Sequence, residues 1–384
     1  KADGSLSVEH QDVAQPDRGD LIRLGRVSRD IIADLQDVRG AYPACPTFSA
    51  YRGYAWLRDG SFTAEGMSRA GAPGSADRFH DWVAGVLADR ADRVARIAQS
   101  VADGTAPEAE LLLPTRFTLR GDDGSDPWWD FQTDGYGTWL WSVTTHGRRH
   151  GRNLAQWVVG IEVCVDYLCA VGEMACYDWW EEHREQRHTS TLAAVYGGLA
   201  AAAGLGELDA GRRRAAYETA GRVRDIAVRE AMDNSRSLVK WIGSDAVDGS
   251  LPAAIVPFGL VPVGGAVAKA TLGRVDRELN ISGGVHRFRA DVFFGGGQWP
   301  LLSCLLGWNL CAAGDVDGAW RQLRWAAGTA DRDGQLPEQV PDHVLHPAHR
   351  QEWIDRWGPV ATPLLWSHGM YLILGDALGL LEEL

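Results

Sequence analysis

Several hallmarks of large protein classes are missing from this chain. Its six cysteines include no Cys-x-x-Cys pair and no regular spacing, which argues against a disulfide-stapled scaffold and favours free buried thiols in a reducing compartment. No charged and apolar leader opens the sequence, and the longest apolar stretches are interrupted by charged residues and glycines. Neither secretion nor a membrane span is therefore predicted, and we expect a cytoplasmic protein.

Positive charge is also scarce and scattered. The 38 lysines and arginines face 51 acidic residues, and the net charge is −13. Because nucleic acids and anionic membranes attract clustered positive charge, both are poor partners for this chain. A hydrophobic fraction of 45% is typical of a globular protein with ample core. The sequence does not fix the oligomeric state, and a monomer is favoured.

Signature motifs of nucleotide, metal and serine-hydrolase chemistry are absent. The HExxH, P-loop, GxSxG and Rossmann glycine patterns do not occur. His343, His346 and His349 are evenly spaced, but Pro347 breaks any helix that would align them on one face. The sequence therefore predicts neither a metal nor another cofactor.

Patterns typical of strands are almost absent as well, whereas helical periodicity extends along most of the chain. Asp20 is expected to cap a first helix ending near Leu35, and Ser75 a longer helix reaching Val101. Further helices are predicted near 60–71, 133–147, 153–174, 188–203, 209–232, 251–258, 264–278, 299–313, 316–330 and 363–383. About twelve helices without a sheet fit a bundle, a superhelix or a closed ring of helical hairpins.

The spacing of charged and aromatic segments favours the closed ring. Such segments recur between helices at 51–62, 127–136, 178–188, 283–299, 335–349 and 362–369. This recurrence indicates loops that meet over one pocket, at one end of an all-α toroid. The predicted helices 153–174 and 188–203 have little polar face, as expected for an inner ring. No linker marks a second domain, so we expect residues 1–384 to form one domain with an N-terminal extension at 1–19.

Two short acidic segments carry the strongest chemical signal. Glu181 lies beside Glu182 and follows Trp180, whereas Glu338 follows Pro337 in a loop. Burial and a neighbouring like charge both raise a carboxyl pKa, so one group can hold a proton while another stays ionised. Acid and base cleavage of a glycosidic bond needs such a pair. Each has an ordinary alternative: Glu181 can begin an amphipathic helix, and Glu338 can be a surface carboxylate.

Three further segments combine charge with aromatic residues, and each signal is weak alone. Arg58 and Asp59 follow Trp56 and can bind sugar hydroxyls, although Asp59 can equally cap a helix with Arg58 in solvent. Trp128 belongs to an aromatic loop that can wall a sugar site or anchor a turn. Arg287 precedes a glycine-rich junction, which can approach a ligand closely or simply join two elements.

Taken in this order, the segments resemble glycoside hydrolase family 15, the glucoamylase and glucodextranase family, over nearly the whole chain. The resemblance implies an (α/α)6 barrel, inversion at the anomeric carbon and release of glucose from non-reducing ends. By the matching motifs, Glu181 is similar to the general acid of the family and Glu338 to its general base. The residues that are similar to its substrate-binding positions are Trp56, Arg58, Asp59, Trp128, Trp180, Glu182, Arg287 and Trp366.

Departures from the family pattern indicate a subtype. The chain begins almost directly at the barrel, without the β-sandwich domain of many bacterial members, and no starch-binding module follows. The segment Trp179–Trp180 is bulkier than its counterpart in many starch-acting members. The chain therefore looks most similar to the small isomaltose glucohydrolases of the family. This implies hydrolysis of isomaltose or short oligosaccharides with α-1,6 linkages.

Other functions stay open at this stage. A glucoamylase, glucodextranase or trehalase-type specificity would use the same family residues on other α-glucosides. A sugar epimerase on the same fold generally uses histidines as acid and base, and His188 and His368 are available. A non-catalytic glucan-binding protein would keep the aromatic walls and need neither glutamate.

Overall fold

Helices dominate the computed structural model of this chain, which describes residues 15–384. Residues 1–14 of the predicted N-terminal extension lie outside the described residues, and α1 begins within its last part, at Arg18. The described residues form thirteen α-helices: α1 (Arg18–Leu35), α2 (Leu57–Arg69), α3 (Pro73–Ala88), α4 (Ala91–Ala102), α5 (Asp134–His150), α6 (Val158–Val171), α7 (Thr189–Ala203), α8 (Ala210–Glu230), α9 (Ala266–Leu279), α10 (Pro300–Ala312), α11 (Val316–Gly328), α12 (Arg350–Trp357) and α13 (Leu365–Ala377).

Extended structure in this part of the chain is limited to four very short strands. They form two antiparallel pairs, β1 (Tyr54–Trp56) with β2 (Arg116–Thr118) and β3 (Asn280–Ile281) with β4 (Gly284–Val285). The first pair immediately precedes α2, so it fixes where that helix begins.

The inner helices form a closed ring. α2 packs on α5, α5 on α7, α10 on α13, and α13 back on α2. Between α7 and α10, a 3-10 turn at Leu251–Ala254 fills the ring position and touches both helices. Helices α1, α3, α6, α8, α9 and α11 surround the ring. The prediction of an all-α (α/α)6 barrel is therefore confirmed.

Glycines let the inner helices approach closely. A Cβ added at Gly66 of α2 would lie 2.6 Å from the carbonyl oxygen of Gly369 in α13. Between α5 and α7, a Cβ at Gly198 would lie 2.3 Å from the carbonyl oxygen of Gly137. Both distances are far below van der Waals contact, so a larger residue would push the helices apart. These helix pairs are thus in direct backbone contact.

Aromatic side chains fill the axis of the ring beneath the loops at one end. Phe62 of α2 is fully buried and contacts four other rings at centroid distances of 5.6–6.3 Å. The partners come from different parts of the ring and are Trp141, Trp179, Phe258 and Trp366. Most of these pairs are tilted or edge-on, the geometry that aromatic quadrupoles prefer. Side chains therefore occupy the centre of the barrel.

Two predicted helix caps are wrong. Asp17, not Asp20, is the N-cap of α1, and Asp20 completes a capping box by accepting from the Asp17 N–H. Ser75 does not cap α3, because that helix begins at Pro73, which suits a first helical position. The Ser75 hydroxyl instead lies 2.6 Å from the Tyr42 hydroxyl.

Several predicted helices also differ in extent or position. The helix predicted over 75–101 is divided into α3 and α4 at Asp89 and Arg90. The helix predicted at 251–258 is instead a 3-10 turn over Leu251–Ala254, and Pro257 lacks the N–H group with which an α-helix would continue.

Two helices are misplaced or missed for reasons of packing. The segment predicted at 153–174 as part of the inner ring forms α6 of the outer ring, and it is apolar because α3, α4 and α8 cover it. Helix α12 is not predicted by the sequence because it has only eight residues and none of them is fully buried. Its apolar residues Trp353, Ile354 and Trp357 are partly buried against the core, but they span too short a segment to show helical periodicity.

One stretch of the described residues, Leu154–Val171, is long and apolar enough to cross a membrane by length and composition. It consists of a 3-10 turn followed by α6, and 56% of it is buried within the protein. In this structure α6 packs against α3, α4 and α8.

The six cysteines are free, as the sequence predicts. Four of them are buried, and burial raises the pKa of thiols such as those of Cys164 and Cys304. These thiols are therefore protonated and behave as small apolar side chains.

Candidate active site

A cavity of about 510 Å³ lies at one end of the barrel. The segments that lead into the N-termini of the inner helices meet there, so the partial positive charge of those termini faces the cavity. The cavity is lined by all ten residues predicted at the site: Trp56, Arg58, Asp59, Trp128, Trp180, Glu181, Glu182, Arg287, Glu338 and Trp366. Side chains that are far apart in sequence are thereby brought together.

Glu181 lies in the loop between α6 and α7, so its interpretation as a helix start is wrong. Its Oε2 accepts from Trp128 Nε1 at 2.6 Å, Gln132 Nε2 at 2.8 Å and Trp56 Nε1 at 3.3 Å. Its Oε1 has no hydrogen-bond partner within the described residues. Burial raises the pKa of this carboxyl, while Arg58 and the three donors oppose the rise.

Glu338 is 3% exposed, so its interpretation as a surface carboxylate is wrong. Its backbone N–H donates to the carbonyl of Ala361 at 2.9 Å, which ties its segment to the chain entering α13. Tyr51 Oη donates to Glu338 Oε2 at 2.7 Å, whereas Oε1 is buried and has no partner among the described residues. Burial raises the pKa of Glu338 to about 8, and Tyr51 and Arg287 oppose the rise.

Arg58 and Asp59 occupy the first turn of α2 and are 2% and 8% exposed, so the alternative with Arg58 in solvent is wrong. Arg58 Nη1 donates to Gln132 Oε1 and to Asp134 Oδ2, both at 2.9 Å. Its guanidinium carbon is 5.7 Å from the ring centroid of Trp366. Burial raises the pKa of Asp59 to about 7, and no other side chain of the described residues donates to it. Its carboxyl is therefore available to a ligand.

Arg287 joins several groups at the edge of the cavity. Its Nε and Nη2 donate to Asp291 at 2.8 and 2.6 Å, and Nη2 lies 3.5 Å from Glu182 Oε1. Its guanidinium carbon is 5.1 Å from the ring centroids of Trp180 and Trp299. Arg287 therefore holds a carboxylate and an indole of the cavity wall in fixed positions.

Some residues in and next to the cavity carry no signal of their own in the sequence. Tyr51 and Gln132 hold the two glutamates, but their partners lie 287 and 49 residues away along the chain. Trp353 and Trp357 line the cavity from α12, the helix that the sequence does not predict. Only the aromatic segments around Tyr51 and Gln132 mark the neighbourhood in advance.

The histidines considered for an epimerase do not line the cavity. His368 is fully buried, with Nδ1 2.7 Å from Ser28 Oγ and Nε2 accepting from the Leu336 N–H at 3.0 Å. His188 directs Nε2 to the carbonyl of His183 at 2.9 Å. Both rings therefore serve internal contacts. In addition, no group of three or more His, Cys, Asp or Glu in the described part of the chain is arranged to hold a metal ion.

The comparison with known proteins decides the family. A sequence model of the glycosyl hydrolases family 15 matches residues 24–300. The chain belongs to glycosyl hydrolase family 15. It is therefore a glycoside hydrolase, as the ordered motifs predict.

Similar proteins agree with this assignment. An isomaltose glucohydrolase of Kribbella flavida is 61% identical over 362 residues, which are 94% of each chain. A solved glycosidase variant in complex with glucose is 60% identical, with a TM-score of 0.92 over 94% of this chain and 98% of that one. A bacterial glucoamylase complexed with acarbose is 20% identical and has a TM-score of 0.73 over 92% of this chain and 55% of that one. That distant likeness shows a shared fold alone.

Proposed function

We propose that this member of family 15 is an exo-acting, inverting α-glucosidase that releases β-glucose from the non-reducing end of isomaltose and short α-1,6-linked gluco-oligosaccharides. The observation that carries the proposal is a half-buried Glu181 and a buried Glu338 with unlike hydrogen-bond partners on one cavity. The 61% identity to an isomaltose glucohydrolase supports the linkage. The glucose bound to a 60% identical glycosidase supports the sugar.

Glu181 is the general acid in this proposal. Its Oε2 is already occupied by three N–H donors, so the proton of the neutral carboxyl resides on Oε1. Burial raises its pKa, which favours this form. The proton passes to the glycosidic oxygen as the bond to the anomeric carbon breaks. The same three donors then stabilise the carboxylate that remains.

Glu338 is the general base. An unpaired buried acceptor beside a cavity is a position where an ordered water is expected, and Oε1 is such an acceptor. The base must be ionised; burial opposes this form by raising the pKa of Glu338 to about 8, whereas the Tyr51 hydroxyl on Oε2 and the charge of Arg287 favour it. The water transfers a proton to Oε1 while its oxygen bonds to the anomeric carbon, on the face opposite the departing sugar. An α-glucoside therefore gives β-glucose.

Arg58 and Asp59 hold the terminal glucose by its hydroxyl groups. The Arg58 guanidinium is fixed from behind by Gln132 and Asp134, which leaves little rotational freedom to lose when a sugar binds. Gln132 also donates to Glu181, so one amide connects the arginine that holds the sugar with the acid that cleaves it. Arg287, Glu182 and the indoles of Trp56, Trp128, Trp180 and Trp366 complete the binding surface in this proposal.

A comparison of three disaccharides tests the specificity. We expect kcat/KM to be highest for isomaltose, with maltose and trehalose far slower. NMR of freshly formed product should show β-glucose before mutarotation mixes the anomers. Initial α-glucose would contradict inversion, whereas a preference for maltose or trehalose would move the enzyme to the glucoamylase or trehalase type. Isomerised monosaccharide without hydrolysis would indicate an epimerase, and binding without turnover a glucan-binding protein.

We further propose that the enzyme acts as a monomer in the cytoplasm, with no nucleic acid or membrane partner. The six free cysteines support a reducing compartment. Light scattering of the purified protein should give the mass of one chain, 41.9 kDa.

A further inference from the structure

The loop that carries Glu181 has an unusual backbone. Glu181 and His183 have φ angles of 67° and 54°, in the left-handed region that residues other than glycine rarely adopt. Such a conformation persists only where the surrounding contacts hold it. The direction in which the Glu181 carboxyl points therefore depends on what fixes this loop.

Asp178 holds the loop from inside. One carboxylate oxygen, Oδ1, accepts from the backbone N–H of Trp180 at 2.9 Å and of Glu182 at 3.0 Å. The Asp178 backbone adds two bonds, accepting from the Glu181 N–H at 3.0 Å and donating to the Glu182 carbonyl at 3.1 Å. These four bonds bracket Glu181 on both sides, so they set its left-handed geometry.

A second buried carboxylate holds the neighbouring indole. Trp180 Nε1 lies 3.1 Å from both oxygens of Asp248, just before the 3-10 turn of the inner ring. Asp248 Oδ1 also accepts from the Ser250 N–H at 2.8 Å and from its hydroxyl at 2.6 Å. Asp248 therefore connects the wall of the cavity to the ring of the barrel.

Lys240 is the cation between these two carboxylates. Its ammonium is ion-paired with Asp248, lies 3.6 Å from Asp178 Oδ2 and sits 3.8 Å from the ring centroid of Phe288. Its side chain is 5% exposed. His188 Nδ1, 3.9 Å from Asp178 Oδ2, is a further titratable group at this carboxylate. Burial alone would raise the pKa of Asp178, yet Lys240 and His188 hold it below its usual value.

We propose that Lys240 is a positioning residue for the general acid. It does not line the cavity. Its ammonium holds the Asp178 and Asp248 carboxylates in place, and these in turn fix the Glu181 backbone and the Trp180 indole. The inference rests on the proposed role of Glu181 as acid. Without the ammonium, two buried like charges would face each other and the loop would relax. We expect the rate of proton donation to fall more than the other steps, because it depends on the orientation of a single carboxyl oxygen of Glu181.

Lys240→Met tests the proposal, because it removes the charge and keeps most of the side-chain volume. Two substrates separate proton donation from the rest of the reaction. Isomaltose needs a protonated leaving oxygen, whereas α-glucosyl fluoride loses fluoride with little help from an acid. We expect kcat on isomaltose to fall about 10²-fold and kcat on the fluoride to fall only about threefold. Lys240→Arg should recover part of the loss. KM should change little in either variant.

Matched variants make the result decisive. Lys269→Met removes an exposed lysine on α9 and should leave both rates unchanged. Glu181→Gln should show the same dependence on the leaving group as Lys240→Met. If Glu181→Gln lacks this dependence, the role of Glu181 as acid is wrong, whatever Lys240 does.

Two outcomes would overturn the role of Lys240 alone. The first is a folded Lys240→Met protein whose rates on both substrates fall in parallel, and the second is one whose rates do not fall. Circular dichroism and the melting temperature establish folding. If methionine prevents folding, Asp248→Asn removes the other end of the ion pair. It should raise the ratio of fluoride to isomaltose turnover, and an unchanged ratio would overturn the proposal.

Discussion

The two ends of the barrel both contain buried carboxylates, but they pair them differently. At the cavity, Glu338 Oε1 has no partner among the described residues, and burial raises the pKa of Glu338 to about 8 and of Asp59 to about 7. At the other end, Glu65 of α2 is 1% exposed and receives Arg149 at 2.5 and 3.2 Å, one bond to each oxygen.

The hydroxyl of Ser68, at the same far end, also makes its hydrogen bonds within the protein. The Ser68 hydroxyl lies 2.8 Å from His146 Nδ1, whose Nε2 is 2.7 Å from Asp77 Oδ1. This order of serine, histidine and acid resembles a hydrolase triad, yet Ser68 is buried and its oxygen also accepts from Arg149 at 2.6 Å. Buried polar groups whose hydrogen bonds are all made stabilise the fold, whereas buried groups with an unpaired atom can still bind or react with a substrate.

The largest expected effect is at Glu338, the proposed base. Glu338→Gln should lower kcat about 10²- to 10⁴-fold, because no group remains to take the proton from water. The free energy of unfolding should stay the same or increase, since a buried acid is replaced by a neutral amide. Steady-state kinetics on isomaltose and urea unfolding measure the two quantities. A variant within about tenfold of the wild type would exclude Glu338 as the base.

The same substitution at the other end of the barrel should lower stability and leave activity unchanged. Glu65→Gln leaves the Arg149 guanidinium without its anion, so the free energy of unfolding should fall by about 3 kcal/mol. The activity per folded molecule should not change, because the residue is remote from the cavity. Urea unfolding and active-site-normalised rates would show this. A loss of kcat without a loss of stability would contradict the conclusion that the paired charges at this end serve stability alone.

A smaller effect is expected from the partner of the base. Tyr51→Phe removes the donor on Glu338 Oε2, which favours the ionised carboxylate. The pKa of the base should therefore rise further, and the acidic limb of the kcat/KM profile should move to higher pH. At neutral pH we expect a loss of about tenfold or more. An unshifted limb would show that this hydrogen bond does not tune the base.

The smallest effect concerns stability against pH. The pKa of Glu338 is about 8 in the folded chain and about 4.3 in an unfolded one. The folded state therefore binds the extra proton, and this group makes stability fall as pH rises through that interval. Wild type should lose more free energy of unfolding between pH 5 and pH 8 than Glu338→Gln. Equal losses would mean that Glu338 titrates normally.

The sequence predicts the barrel well because helical periodicity and the order of the polar segments do not depend on the conformations of the loops. Its errors arise where packing outside the segment decides, as for α6, which is apolar because α3, α4 and α8 cover it. The missed α12 has only eight residues, and its apolar side chains are only partly buried. Local pattern also fails where proline is decisive, as at Pro257 in the inner ring.

Prediction of the site from the sequence is limited in the same way, by contacts between distant segments. The family motifs locate the glutamates, and the structure places them on one cavity, but their hydrogen-bond partners come from distant loops. Gln132 reaches both Arg58 and Glu181, and no spacing in the sequence pairs the three. Lys240 has even less signal, because a single lysine among scattered arginines looks like any surface charge. Its importance depends on burial between two carboxylates, which is a property of the folded chain.

The aromatic cluster around Phe62 has a consequence for turnover. With the centre of the ring blocked by indole and phenyl groups, a glucan cannot thread through the molecule, and only its tip can enter. The released monosaccharide must leave through the same opening by which the disaccharide entered. Glucose and fresh substrate would therefore exclude one another at this cavity, and we expect accumulating glucose to inhibit the enzyme competitively.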